Sequence, residues 1–232
     1  MNKQVVFWPE LEEMARQYED AKPESILDKA YEVIEPITFA CSFGAEDMVL
    51  VDMISRINPD AQLFYLDTDL FFPETYALQK QMRERYDLRK LEQVRPALSL
   101  DEQARQYDER LWEKDPDVCC ILRKVNPLSE HLQSYRGWVT GIRREQSPAR
   151  ANAKAFEWDH KFQMVKVNPL VSWTTDQVWD YIRDHQVPYN PLHDRGYPSI
   201  GCQPCTRAVK AGDDPRSGRW SGFGKTECGL HK

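Results

Sequence analysis

Ile37-Thr38-Phe39-Ala40-Cys41-Ser42-Phe43-Gly44-Ala45-Glu46-Asp47-Met48-Val49-Leu50-Val51 is the stretch on which the fold turns. Ile37 to Ala40 form a short run of strand formers, and small or polar residues at 42–47 break it. Leu50, Val51, Ile54 and Ile57 then recur at helical spacing. The order is strand, turn, helix, and it recurs. Gln62–Leu66 is strand-like, Asp67-Thr68-Asp69 forms a turn, and Pro73-Glu74-Thr75 opens a helix reaching about Tyr86. Further strands are expected at 138–140 and 162–167, and a helix after Ser172-Trp173-Thr174-Thr175-Asp176 with Val178, Trp179 and Ile182 inward. Strands alternating with helices predict an α/β fold, a mostly parallel sheet with helices on both faces.

Outward from this body, Leu11, Met14, Ala15 and Tyr18 lie at helical spacing, and a second helix opens at Pro23. The α/β pattern runs to about residue 187. Beyond it Pro188, Pro191, Pro198 and Pro204, then Gly212, Gly218, Gly222 and Gly224, mark loop and tail. The expected division is helices packing on the core at 1–35, an α/β domain at 36–211, and a mobile C-terminal tail at 212–232.

A chain of 232 residues buries a substantial core, and 41% hydrophobic with 29% charged residues is an ordinary balance for a soluble protein. No apolar run approaches the roughly 20 residues that span a bilayer. Glu10, Glu12 and Glu13 stand where an export signal needs a basic and then an apolar stretch, so the cytoplasm is the expected compartment. Thiols are kept reduced there, and six cysteines point to metal binding or redox chemistry rather than disulfides. The net charge of −6 argues against a surface that tracks nucleic acid, while a local basic pocket remains open to a small anion.

The strongest chemical signal is Cys119-Cys120 together with Cys202-Gln203-Pro204-Cys205. Four thiolates suit a structural zinc or an iron–sulfur cluster, and adjacent cysteines, projecting in divergent directions, favour the bulkier cluster. Against this stand buried apolar cysteines beside Ile121 and Leu122, and a dithiol redox pair at Cys202 and Cys205. The turn Ser42-Phe43-Gly44 before a helix is a phosphate cradle, or an ordinary tight turn; no Gly-x-x-x-x-Gly-Lys-Ser/Thr motif occurs. Arg143 and Arg144, with Arg150 close behind, are either oxyanion ligands or a solvated charged loop. At the end, Cys228 lies in a Gly-rich segment near Arg216, Arg219, Lys225 and His231, where positive neighbours raise the thiolate fraction and Glu227 opposes them. It is a nucleophile candidate or an incidental terminal thiol. Cys41, at a strand end, reads as a small core residue, and Trp173, Trp179 and Tyr181 as helix packing.

Taken together, Cys119-Cys120, Cys202 to Cys205, the 42–47 turn, Leu66-Asp67-Thr68, Phe72-Pro73-Glu74-Thr75, Gly141-Ile142-Arg143-Arg144 and Glu227-Cys228-Gly229-Leu230-His231 resemble the assimilatory sulfonucleotide (APS/PAPS) reductases, from about residue 36 to the end. The resemblance implies an adenine-nucleotide alpha-hydrolase-like fold and a [4Fe-4S] cluster on Cys119, Cys120, Cys202 and Cys205. It implies reduction of adenylyl sulfate (APS), with 3′-phosphoadenylyl sulfate (PAPS) as an additional or alternative substrate. Cys228 would attack the sulfate sulfur and carry an S-sulfonate, and thioredoxin or a glutaredoxin-like donor would release sulfite. Ser42, Phe43 and Gly44 would cradle the phosphate, Asp67 and Thr68 would hold adenosine, and Lys124, Arg143, Arg144, Arg216 and Arg219 would neutralise the anions. Neither nucleic acid nor membrane is an expected partner, and a homo-oligomer is compatible with the sequence. The rivals are an ATP pyrophosphatase of related fold, which needs no terminal Cys-Gly-Leu-His, and a zinc-stapled binding module without chemistry.

Overall fold

Two helices, α1 (Pro9–Gln17) and α2 (Pro23–Val33), lead into β1 (Ile37–Ala40) in the computed structural model, which describes residues 9–210, 212–223, 225, 229 and 230. Next come α3 (Ala45–Ile57), β2 (Gln62–Leu66), α4 (Pro73–Arg85) and β3 (Leu91–Val94). A helical stretch follows, with α5 (Leu100–Gln106), α6 (Leu111–Lys114), α7 (Pro116–Cys120), a π-helical turn at Ile121–Val125, and α8 (Asn126–Leu132). β4 (Gly137–Val139), β5 (Phe156–Asp159), β6 (Met164–Val167) and α9 (Thr175–Asp184) complete the body. Pro23 and Pro73 sit in first helical turns, where the missing N–H has no intrahelical partner to lose.

The strands form one sheet in the order β3-β2-β1-β4-β6-β5, with β5 antiparallel to β6 and every other pair parallel. The two outer strands are absent from the sequence reading for a physical reason. Leu91-Glu92-Gln93-Val94 exposes both of its polar side chains and carries no apolar alternation, as an edge strand can. On the other edge, the strand expected from 162 begins only at Met164. Asp159 Oδ1 accepts the N–H groups of Lys161 and Phe162 (3.0 Å each), and Gln163 adopts φ +55°, closing a hairpin turn between β5 and β6.

Alternation along the strands divides the core. Phe39, Leu63, Tyr65, Val139, Val165 and Val167 face the larger cluster, with α2, α3 and α9; Phe64, Trp138 and Met164 face a smaller one with Phe162 and with Leu128 and Leu132 of α8. Leu230, near the C-terminus, packs against this smaller cluster.

Three helical segments meet at one buried carboxylate. Asp52 on α3 accepts from Tyr86 Oη at the end of α4 (3.0 Å), Tyr181 Oη on α9 (2.8 Å) and Arg56 Nη2 (2.6 Å). Asp52→Ala leaves two buried tyrosine hydroxyls without their acceptor and is expected to lower unfolding free energy by about 2–4 kcal/mol in a urea titration, with Asp52→Asn recovering part of the loss.

Candidate active site

The sheet order reverses between β1 and β4, and ligands in open α/β sheets bind where strands end at such a reversal. A cleft of about 910 Å³ opens there. Cys41, Ser42 and Gly44 after β1, Gly141 and Arg143 after β4, Val178, Trp179 and Ile182 of α9, and Arg216, Arg219 and Leu230 from the C-terminal segment all line it.

The turn after β1 is shaped by its own side chains. Phe43 takes φ +62°, and its ring is buried against Tyr65, with centroids 5.3 Å apart. Its side chain is therefore a core group and does not face the cleft. Asp47 folds back from α3 so that its Oδ2 accepts the Ser42 N–H at 2.6 Å, which occupies a donor otherwise available to a phosphate. A Cβ at Gly141 would lie 2.1 Å from Asp47 Oδ1, so only glycine lets the β4 loop pass this close. Burial pushes the Cys41 thiol far up, with Asp47 adding to the effect, which makes it inert as a nucleophile despite its place on the cleft wall.

The basic residues divide. Arg143, Arg216, Arg219 and Lys124 line the cleft, as does Arg150. Arg143 is buried and already engaged, with Glu46 Oε1 at 2.8 Å and Glu145 Oε2 at 3.4 Å. Burial alone would raise the Glu46 carboxyl, but Arg143 and the Gln146 amide hold it below its ordinary value. Arg144 does not line the cleft: it pairs with Glu19 beyond α1 (2.6 Å) and donates to the Ala153 carbonyl. Asp67 and Thr68 do not line the cleft. Asp67 accepts from Tyr76 Oη (3.0 Å) and Gln93 Nε2 (2.6 Å) and braces β2 against β3, while the Thr68 hydroxyl lies 3.3 Å from Cys202 Sγ. Arg219 donates to Ser199 Oγ and the Ile200 carbonyl, and its guanidinium lies over Gly201, where a Cβ would sit 2.2 Å from Nη2.

Cys119, Cys120, Cys202 and Cys205 line one small cavity, together with Lys124, Arg123 and Trp220. Lys124 and Trp220 also line the cleft, and so form the wall between the two. The π-helical turn places Arg123 inward, where it donates to the Thr68 and Leu98 carbonyls and to Gln103, and pairs with Asp69 at 2.5 Å. Nothing in the sequence marks Arg123 or Trp220 beyond their closeness to Cys120 and Arg219. Burial pushes the Cys119 thiol up to about 12 and Cys205 up to about 11, with the neighbouring cysteine sulfurs adding to both. At Cys202 burial acts the same way, but Lys124, the Thr68 hydroxyl and Arg219 outweigh it and hold the thiol below its ordinary value. Sulfurs that oppose one another's ionisation, as at Cys119 and Cys205, are brought to thiolates together by a shared cationic centre. Among the described residues no group of three His, Cys, Asp or Glu side chains converges on a position for one metal ion.

Cys228 lies outside the described residues, but residues on both sides of it are described. Lys225 Nζ donates to Asp117 Oδ1 (2.7 Å) and to the Pro116 carbonyl (3.1 Å), and Lys161 Nζ donates to the Gly229 carbonyl.

The profile of the phosphoadenosine phosphosulfate reductase domain matches residues 36–208. The chain belongs to the phosphoadenosine phosphosulfate reductase family. Among its relatives, the protein named adenosine 5'-phosphosulfate reductase from Shouchella clausii is 53% identical over 85% of this chain and 82% of its own length. One of the same name from Staphylococcus haemolyticus is 52% identical over 89% of this chain and 85% of its own. The crystal structure of phosphoadenylyl-sulfate (PAPS) reductase from Candida auris, a phosphate complex, superposes with a TM-score of 0.76 at 29% identity, covering 86% of this chain and 96% of that one. Candida glabrata FMN adenylyltransferase, with TM-score 0.61 at 15% identity over 89% of this chain and 71% of its own, shares the fold alone. The family's enzymes reduce sulfonucleotides, and the chain is an enzyme of this kind.

Asp47 gives the reductase a pH-dependent term. Burial pushes its carboxyl up to about 6, against the donations from Ser42. An unfolded aspartate titrates near 3.9, so between about pH 4 and 6 the folded chain keeps a proton that the unfolded chain has released. Stability from this group is full below about pH 4 and falls as pH rises through 6, by on the order of 2–3 kcal/mol. Asp47→Asn keeps an acceptor for the Ser42 N–H, and its stability relative to the parent is expected to rise by that amount between pH 4 and pH 7. A difference that stays constant across those two urea titrations means the folded carboxyl titrates no higher than the unfolded one.

Proposed function

We propose that this chain reduces adenylyl sulfate to sulfite and AMP, with thioredoxin as the dithiol donor, in assimilatory sulfate reduction in the cytoplasm. The observation that carries the reading is the shared wall: Lys124 and Trp220 stand between a four-cysteine cavity and a cleft that also holds Arg216 and Arg219. The relatives named adenosine 5'-phosphosulfate reductase support adenylyl sulfate as the substrate.

Cys119, Cys120, Cys202 and Cys205 would hold a [4Fe-4S] cluster. Their spread around a cavity suits a polynuclear group better than a single tetrahedral zinc. When bound, such a cluster supplies a rigid anchor joining two distant segments and a fixed charge beside the cleft. Ser42 and Gly44 face the cleft from the first strand-to-helix turn and would meet the nucleotide phosphate, with α3 beginning just behind them. Arg216, Arg219 and Lys124 would offset the charge of phosphate and sulfate, without which an anionic nucleophile is repelled.

The nucleophile proposed is Cys228, and the docking of Lys225, Gly229 and Leu230 around it supports that choice. Its thiolate attacks the sulfate sulfur; an S–S bond forms, the S–O bond to phosphate breaks, and AMP leaves with the electron pair. A thiolate of the donor then attacks Cys228 Sγ, sulfite leaves with the S–S electron pair, and the donor's second thiol resolves the mixed disulfide. Sulfur gains two electrons and the donor dithiol loses two, so the balance closes without an electron from any other centre.

Anaerobically purified enzyme given thioredoxin is expected to release sulfite from adenylyl sulfate faster than from its 3′-phosphorylated form, and to be brown. Faster turnover of the 3′-phosphorylated nucleotide would instead favour PAPS as the substrate. Colourless, zinc-loaded, inactive protein would return the chain to the stapled binding module. Cys228→Ser is expected to abolish sulfite release while keeping colour and AMP binding. Cys202→Ser is expected to lose the colour, read as visible absorbance and bound iron per chain.

A further inference from the structure

The turn between β5 and β6 lies at the start of β6, away from the strand ends that form the cleft, and the nucleotide chemistry above does not use it. Its geometry is nevertheless fixed: Asp159 accepts two of its backbone N–H groups and Gln163 Nε2 donates to the His160 carbonyl at 2.7 Å. Two consecutive residues of this turn relate it to the C-terminal segment, one by a direct bond and one through a shared apolar cluster. Phe162 belongs to the small apolar cluster against which Leu230 packs, and Lys161 Nζ donates to the Gly229 carbonyl. Gly229 adopts φ +86°, and Val125 of the π-helical turn lies 3.8 Å from where its Cβ would be. On the other side of Cys228, Lys225 is held by Asp117 and the Pro116 carbonyl, just before the cysteine pair.

We infer that Lys161 is a positioning residue for the S-sulfonate-forming step, a latch whose ammonium holds the Gly229 carbonyl and so fixes the segment that carries the nucleophile against the second face of the sheet. The inference rests on Cys228 being that nucleophile. A lysine on an exposed turn is well suited to the task. Its bond to a carbonyl is charge-assisted, yet it is open to water and is lost without unfolding anything else. Adduct formation needs the segment seated. Attack by the donor protein on the adduct needs the sulfur accessible, so the latch acts in opposite senses on the two half-reactions.

The test separates them. Lys161→Met keeps the length of the side chain and removes the charge. Holoenzyme is mixed with sulfur-labelled adenylyl sulfate without thioredoxin, and the protein-bound label is followed in a single turnover; thioredoxin is then added to preformed adduct. The variant is expected to form adduct roughly 3- to 10-fold more slowly at saturating nucleotide, the range for one charge-assisted bond on a surface, and to discharge it at the parent's rate or faster. Lys161→Arg should restore most of the loss. Adduct formation at the parent's rate in Lys161→Met, equal slowing of both half-reactions, or no rescue by arginine would each overturn the latch. A second readout does not depend on chemistry: tryptic cleavage after Lys225, followed by mass spectrometry, should be several-fold faster in Lys161→Met. If the parent itself forms no adduct, the assignment of Cys228 fails while this cleavage rate still judges the latch, and an unchanged rate overturns it.

Discussion

Four thiols around one cavity, three of them buried and Cys205 half-buried, set the terms for the C-terminal half of the protein. They come from a helical segment and from a loop far apart in sequence, and neighbouring sulfurs oppose the ionisation of Cys119 and Cys205. Holding them together requires both segments to be tethered independently of any bound group. Arg123 does this for the first by bonding the backbone after β2 and at Leu98, and the second is tied by the Gln203 N–H to the Leu70 carbonyl. The same loop also anchors the chain at 219 and 220. Thr206 pairs with Arg219 as an isolated bridge, and the Trp220 N–H donates to the Cys205 carbonyl at 3.0 Å. Arg219 is thus carried to the cleft by the loop that bears two of the cysteines.

Charge in the cleft is allocated before any ligand arrives. Arg143 is neutralised by two carboxylates, and Lys124 acts on the sulfurs of Cys202 and Cys205. Asp47 and Glu46 line a site proposed to receive an anion, which looks contradictory until their partners are counted: one carboxylate shapes the turn after β1 and the other holds Arg143 in place. Such internally satisfied pairs are preorganised and need little rearrangement when a ligand binds. They also mean that an incoming sulfonucleotide competes with resident carboxylates for Arg143, whereas at Arg219 it meets a guanidinium held by a serine hydroxyl and a backbone carbonyl, both neutral.

How far the sequence could be read depended on the range of each interaction. β1, β2 and α4 were legible because their signals are local: apolar runs, a broken turn, a proline at a helix start. The polar edge strand β3 was not, because it is held by pairing with β2 and not by its own side chains. Arg143 and Arg144 look alike in sequence, yet Arg143 is the extended residue before a short 3-10 turn and Arg144 opens that turn, and only Arg143 lines the cleft. The resemblance implied that Asp67 and Thr68 hold a nucleoside; that Asp67 braces the neighbouring strand and Thr68 contacts a cysteine was not legible from their spacing. The cysteine pairs were conspicuous as residues, but their common cavity depends on tertiary structure that no spacing encodes.

The π-helical turn at Ile121–Val125 has a consequence in genetic terms. A turn of this kind accommodates one residue more than a regular helix, and here it lies between the cysteine pair and α8. Exchanging one side chain within it leaves the register of everything downstream intact. Removing one residue restores a regular helix with α8 still in phase with Cys119 and Cys120, and abolishes the widened turn that sends Arg123 inward to the Thr68 and Leu98 carbonyls. The stretch should therefore lose function on missense change at the buried Arg123 as well as on a single in-frame codon deletion, while the exposed Ile121 tolerates substitution.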